Sequence, residues 1–210
     1  DRANTPRILW KLAVVRANGY IYLSNVAGQQ FNNSHVTIAN VGGLAGNTIY
    51  TTPLVVNTAN RPRLVQFKNH LYVVDGDNYV RECLNIDRTT WTTSTTTLNA
   101  TARPSAISIG PDGKMYIADS LLNCIHRLSA AGVYEGWYGK PSGGTFGYNA
   151  GATALPGVVD TYAAGVTTSL NAPSDVYATT DYLYVANTYN RSFDRIALTG
   201  GSAGTITHLL

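Results

Sequence analysis

Long acidic side chains are almost missing from this sequence: its 210 residues contain only two glutamates, Glu82 and Glu135. Charged residues of all kinds make up 13%, about half the ~25% of ordinary soluble domains. Long solvated helices draw on Glu and Lys, so an all-helical fold is excluded. The net charge is +3 with no Lys/Arg run, which excludes the basic footprint of a nucleic-acid binder. The densest basic spot, Arg61-Pro62-Arg63, reads as a solvated strand entrance. No apolar run reaches the ~18 residues of a membrane-spanning helix. Cys83 and Cys124 are the two cysteines. They have no C-x-x-C spacing and no neighbouring His pair, which excludes a zinc site. They are either a candidate disulfide or two buried free thiols. His35, His70, His126 and His208 lack metal spacing, and His70 and His126 read as surface or rim residues. The chain opens on Asp1, so a removed leader or a longer precursor is expected.

What is abundant is Thr, Asn and Tyr, with 20 Gly and 44% apolar residues. Thr and Tyr suit strands, and Gly and Asn suit turns, so the fold class is all-β. One pattern recurs. "LAVVRANGYIYLSN" begins at Leu12, "RPRLVQFKNHLYVVDGDNYVREC" at Arg61, "RPSAISIGPDGKMYIADSLLNCIHRL" at Arg103 and "APSDVYATTDYLYVANTYNRSFDRI" at Ala172. Each has an apolar strand and then a tight turn at Asn18-Gly19, Lys68-Asn69, Asp112-Gly113 or Thr180-Asp181. A second strand of the form Tyr-apolar-small-Asp/Asn follows, ending at Asn25, Asp75, Asp119 or Asn187. A third strand comes next, over Val80–Leu84, Ile125–Leu128 or Phe193–Leu198. Asn-Gly and Asp-Gly are strong hairpin signals because both turn positions take positive φ. Pro62, Pro104 and Pro173 stand at strand entrances, where a missing N–H does no harm. The tyrosine-to-tyrosine steps of 50, 44 and 68 residues suit an array of small sheets that bury one another.

These units resemble NHL repeats of β-propellers, through Pro173, Tyr184 to Asn187, Asn190 and Arg195-Ile196 in the fourth copy. Asp112-Gly113, Tyr116 to Asp119 and Ile125 to Leu128 carry the resemblance in the third. "GYNAGATALPG" and "TTSLNAP" resemble the bacterial NHL connection without its GDG acids. The resemblance implies one propeller domain over residues 1–210, with four recognisable units near 7–50, 61–100, 103–140 and 172–210 and an insertion at 141–171. Blade number and closure stay open.

Rings of Asp or Asn in a propeller could hold calcium through oxygen, which makes Asp75, Asp77 and Asp119 metal candidates. The competing reading is that such residues hydrogen-bond the backbone of the next turn. Asp75-Gly76-Asp77-Asn78 begins like a calcium loop, but its twelfth position is Ile86. Gly200 to Gly204 matches G-x-S-x-G, yet it lies between two strands and lacks the helix a nucleophile elbow needs. Glycosylation candidates are Asn32, Asn99 and Asn190 in sequons, and Thr92, Thr93, Thr95, Thr96 and Thr97 in the Thr-rich tract. Tyr134, Trp137, Tyr138, Tyr148 and Tyr162 are candidates for an aromatic contact surface.

The expected function is a non-enzymatic extracellular or cell-surface binding and assembly module without a required cofactor. Its partner is a protein, a glycan or copies of itself. A second reading is a glycosylated structural subunit of a filament, appendage or surface layer. A third, implied by resemblance to propeller lactonases, is a calcium-dependent hydrolase.

Overall fold

A computed structural model describes residues 11–15, 20–24, 35–40, 49–55, 63–67, 70–74, 78–83, 93–98, 100–151, 157, 159, 168–201 and 203–210. The chain divides into two compact units, residues 1–76 with 80–95 and residues 77–79 with 96–210. Among the described residues the only helical element is one 3-10 turn, Thr188–Asn190.

In the first unit, β1 (Lys11–Val15), β2 (Tyr20–Ser24), β3 (His35–Asn40) and β4 (Ile49–Val55) form an antiparallel meander in sequence order. β5 (Arg63–Phe67), β6 (His70–Val74), β7 (Tyr79–Cys83) and β8 (Thr93–Thr97) form a second. The unit boundary falls within β8. Tyr72 of β6 is buried opposite Glu82. Burial and that carboxylate both push its phenol up.

The second unit also has two sheets. β9 (Pro104–Ile109), β10 (Met115–Asp119), β11 (Cys124–Leu128) and β12 (Tyr134–Gly139) form sheet 3, and β13 (Gly147–Ala150) adds a fifth strand. The stretch expected to be an insertion thus begins as an edge strand of the sheet before it. Gly136 makes this possible. It sits at φ 147°, and a Cβ there would run into the Asn149 carbonyl across the β12–β13 ladder. β14 (Pro173–Ala178), β15 (Tyr182–Asn187), β16 (Ser192–Ala197) and β17 (Ile206–His208) form sheet 4.

The two hairpins solve their turns differently. Pro111-Asp112-Gly113 is a three-residue loop closed by Gly110 N–H to the Lys114 carbonyl, and only Gly113 takes positive φ, 82°. That is a turn with a glycine bulge, not a two-residue Asp-Gly turn. Neither Thr180 nor Asp181 has positive φ. Thr179 N–H donates to the Tyr182 carbonyl at 2.8 Å, and the Thr179 hydroxyl adds a second tie, accepting from Tyr182 N–H and donating to the same carbonyl.

Sheets 3 and 4 pack on each other. Alternation along the strands places Tyr116, Ala118, Ile125 and Tyr138 on one face of sheet 3, with Ala106. Against them lie Val176, Ala178, Leu183, Val185 and Ile196 of sheet 4, sealed by Leu170. The other face of sheet 3 carries Ile107, Ile117, His126 and Trp137, all buried. Every residue of β10 is therefore buried, which explains the unbroken apolar run. Ser105 and Ser108 of β9 bridge to β14, donating to the Pro173 carbonyl and accepting from Ala178 N–H.

Asn123 and Arg191 occupy matching places, one residue before the third strand, and each has φ 53°. Asn tolerates that left-handed region and most other side chains do not. Arg191 is exposed. Arg191→Gly is therefore expected to raise stability by about 0.5–1 kcal/mol, read as a higher urea midpoint at unchanged slope.

Candidate functional site

The repeated Asp/Asn is the natural starting point. Asp119 ends β10 and is fully buried. Its Oδ1 accepts Leu121 and Leu122 N–H, and its Oδ2 accepts Arg103 N–H at 3.0 Å. His126 lies diagonally across the ladder, because Asp119 pairs with Cys124 and Ile117 with His126. Its Nε2 is 3.0 Å from Asp119 Oδ2 and its Nδ1 is 3.1 Å from the Tyr134 hydroxyl. With Nε2–H donating and Nδ1 accepting, every polar atom of the trio is satisfied. His126 is 0% exposed, which corrects its assignment to the rim. It tolerates burial because Asp119 and Tyr134 supply its partners.

Sheet 4 builds the same clamp with its chemistry reversed. Asn187 Oδ1 accepts Asn171 N–H at 2.7 Å, as Asp119 accepts from Arg103. Asn187 Nδ2 donates to Asp194 Oδ2 at 2.7 Å, and Asp194 stands where His126 stands in sheet 3. His208 and Ser192 complete the shell of Asp194. Donor and acceptor have traded places between the repeats. The Asp119 carboxylate is thus committed to the backbone and His126 and is no open metal ligand. Asp75 and Asp77 lie outside the described residues.

A cleft of about 180 Å³ opens at the turn end of sheets 3 and 4, lined by Asp112, Lys114, Tyr116, Arg127, Tyr138 and Thr180, among others. Its cations are already engaged. Glu135 Oε2 lies 3.0 Å from Lys114 Nζ and 2.8 Å from Arg127 Nε. The Arg127 Nε contact is an ion pair whose bent geometry falls short of a hydrogen bond. Arg127 also donates to the Tyr138 hydroxyl and lies 3.9 Å over the Tyr148 ring. Burial pushes the Tyr116, Tyr138 and Tyr148 phenols up. For Arg127 burial works against the charge, but Tyr138, Tyr148 and Glu135 outweigh it and hold the guanidinium above its ordinary value.

The outward face of sheet 4 differs in kind. Tyr177, Tyr184, Arg195 and Thr207 form one cross-strand row, and Asp175, Ala186 and Phe193 the next. Tyr184 and Phe193 stack with centroids 6.0 Å apart, and Arg195 lies 4.4 Å over the Tyr182 ring. Tyr177 is 65% exposed and Phe193 39%. By register, Tyr184 and Arg195 are the counterparts of Tyr116 and Arg127. In sheet 3 that face is covered by sheet 4 and Tyr116 is 3% exposed. In sheet 4 the counterparts Tyr184 and Arg195 are half-buried.

The expected aromatic surface is only partly realised. Trp137 and Tyr138 are core residues at 4% and 2% exposure: Tyr138 packs in the core between sheets 3 and 4, and Trp137 lies on the opposite, equally buried face beside His126. Tyr134 and Tyr148 are half-buried against His126 and Arg127, and Tyr162 lies outside the described residues. Asn190 is buried and donates to the Ser169 carbonyl, which removes it as a glycan acceptor in the folded chain. Asn32, Asn99 and Thr92 lie outside the described residues, as do the side chains of Thr93 and Thr95. Thr96 is half-buried and Thr97 exposed. Cys124 is a free, buried thiol beside His126, and burial pushes it well up. The Cys83 side chain is outside the described residues. The residues sequence reasoning missed are Tyr177, Tyr182, Phe193 and Arg195. Their alternation with Val176, Leu183, Asp194 and Ile196 was the available signal.

No family model matches this chain, and no curated protein does. Solved structures do. A chain of a nidogen/laminin complex has a TM-score of 0.56 at 15% identity, covering 94% of this chain and 62% of its own. A protein from Lactobacillus plantarum has 0.56 at 18%, covering 95% and 55%. An auxiliary nutrient binding protein from Bacteroides thetaiotaomicron has 0.55 at 16%, covering 88% and 46%. The fold is that of a β-propeller. This chain spans roughly half the length of these propellers, and its four- and five-stranded sheets are blades.

Two outcomes follow for the third blade. Asp119→Ala leaves three backbone donors and His126 without their acceptor, so a loss of about 3–5 kcal/mol is expected in urea unfolding. Asp119→Asn keeps an acceptor oxygen and should cost less. The raised Tyr116 phenol sets an alkaline limit. Tyrosine is neutral when protonated, so the fold keeps a proton that the unfolded chain releases near its ordinary 10.0. That stability is intact below the unfolded value and drains away as pH rises beyond it. Tyr116→Phe should flatten the fall in denaturant midpoint between about pH 9 and 11.

Proposed function

We propose that this chain is a non-enzymatic, extracellular binding and assembly module built of NHL-type propeller blades. The aromatic face of the fourth blade carries the reading, through the exposed Tyr177 and Phe193 beside the half-buried Tyr182 and Tyr184. A sheet face holding Tyr177, Tyr182, Tyr184 and Phe193 is costly to leave in water and is the kind of patch that marks a contact surface. Two of the similar propellers are described as parts of binding systems, a nidogen/laminin complex and a nutrient binding protein. Low charge with abundant Thr and Asn supports an extracellular setting. The commitment of Asp119 to backbone donors and His126 weighs against a calcium-dependent hydrolase.

The test is native mass spectrometry of the protein from its source, beside a Tyr177→Lys/Phe193→Lys variant. The expected result is a stoichiometric complex for the wild type that the variant loses. A wild type that travels alone, or a variant that keeps its complex, overturns the reading.

A further inference from the structure

The cleft at the turn end of sheets 3 and 4 has polar groups on its floor that the fold does not use. Among the tyrosines of sheet 3, Tyr134 meets His126, Tyr138 accepts from Arg127 and Tyr148 donates to the Glu135 carbonyl. Tyr116 is the exception. It is 3% exposed and lines the cleft, yet its hydroxyl has no hydrogen-bond partner among the described residues. Tyr138 accepts at 3.3 Å and still has its own proton to give. The two ring centroids are 6.4 Å apart, so both phenols serve one floor. At the rim, Asp112 Oδ1 accepts Lys114 N–H, and its Oδ2 is left over. Two hydroxyl donors below and one carboxylate oxygen above are thus available to a ligand.

Charge narrows the class. Lys114 and Arg127 share Glu135, and Asp112 is a second carboxylate, so two cations face two anions. An anionic ligand would gain no net attraction here and would have to displace Glu135. A neutral ligand whose own hydroxyls both give and take hydrogen bonds fits the donors and the acceptor together. Pro111 and Leu198 supply apolar walls for its C–H surface. The volume of about 180 Å³ is below the ~300 Å³ of the smallest drug-sized pockets, so it holds one ring and not a chain of them. We propose that this cleft binds a single neutral sugar ring, with Tyr116 and Tyr138 donating to its hydroxyls and Asp112 accepting from one. The ring is either a free monosaccharide or the end of a glycan. Pro111, Asp112, Thr180 and Thr199 around the mouth are exposed. The described ends of the connection between the sheets hold to the opposite end, through Gly157 N–H on the Leu122 carbonyl and Asn187 on the Ser169 carbonyl. Both walls belong to sheets 3 and 4, so the site does not involve the outward face of sheet 4.

The inference goes beyond the binding-module reading and is tested apart from it. Glucose, galactose, mannose and N-acetylglucosamine are titrated into the full chain to about 50 mM, with saturation-transfer NMR as the readout, the range in which a small ligand held by a few hydrogen bonds binds. At least one is expected to bind with a millimolar Kd. Tyr116→Phe keeps the ring and removes only the hydroxyl, so it should weaken that binding about 10-fold with an unchanged circular dichroism spectrum. Asp112→Asn, at the exposed rim, keeps the turn's acceptor and should weaken it by a similar factor. Oligosaccharides ending in the same sugar separate the two sources: a glycan end is bound at least as tightly as the free sugar, whereas a site for free sugar excludes them. Glucuronate, a charged ring of similar size, should bind no better than glucose. No binding by any of the four sugars, equal binding by Tyr116→Phe and Asp112→Asn, or a preference for glucuronate overturns the proposal, and none of these outcomes bears on the native complex expected at Tyr177 and Phe193.

Discussion

The clamp at the end of each second strand is the interaction on which the second unit depends. A single side chain, Asp119 or Asn187, reaches back sixteen residues to the N–H of Arg103 or Asn171. It fixes the segment entering the first strand against the end of the second, and so sets where each blade begins. The backbone repeats the tie, with Ser120 N–H to the Arg103 carbonyl and Tyr189 N–H to the Asn171 carbonyl. A buried acceptor that holds several backbone donors is expensive to remove, so the position tolerates little beyond Asp or Asn. That is why the motif recurs without implying a ligand.

The exchange between Asp119–His126 and Asn187–Asp194 shows what the fold requires at this place. It requires one donor and one acceptor on diagonal ladder positions. It does not require a particular residue to play either part. A carboxylate in the clamp needs an N–H from the third strand, which His126 gives. An amide in the clamp offers its own N–H, and Asp194 takes it. Chain-to-chain variation in such a network is compatible with one geometry, because hydrogen-bond complementarity is conserved by the pair rather than by the residue.

Much of this was legible in the sequence. Strand order, the Tyr-apolar-small-Asp/Asn strand and the proline entrances follow from alternation and turn chemistry, which are local. The Gly113 bulge was readable as a hairpin though not as its type, since Pro111 joins the loop. The part the Thr179 hydroxyl plays was not readable, because a side chain there takes the Tyr182 N–H beside the main-chain bond. Burial was the main loss. His126 looks like a rim residue until Asp119 and Tyr134 are brought to it by pairing. Trp137 and Tyr138 look like a contact surface until packing covers both faces of sheet 3. The fifth strand itself was hidden in a Gly-rich stretch whose composition says turn.

The same limit explains why the aromatic face of sheet 4 was missed. Tyr116 and Tyr184 sit in near-identical strands, each beside an arginine, and nothing local separates them. Tyr116 is core because sheet 4 packs over it, whereas Tyr184 is half-buried. In a repeat protein each unit is stable only through its neighbours. A blade face built to the interior pattern therefore keeps the shape and apolar character of a core. The fourth blade departs from that pattern in one respect. It has lost the carboxylate that neutralises its arginine, and it carries an exposed Asp175 on the far side of the same face.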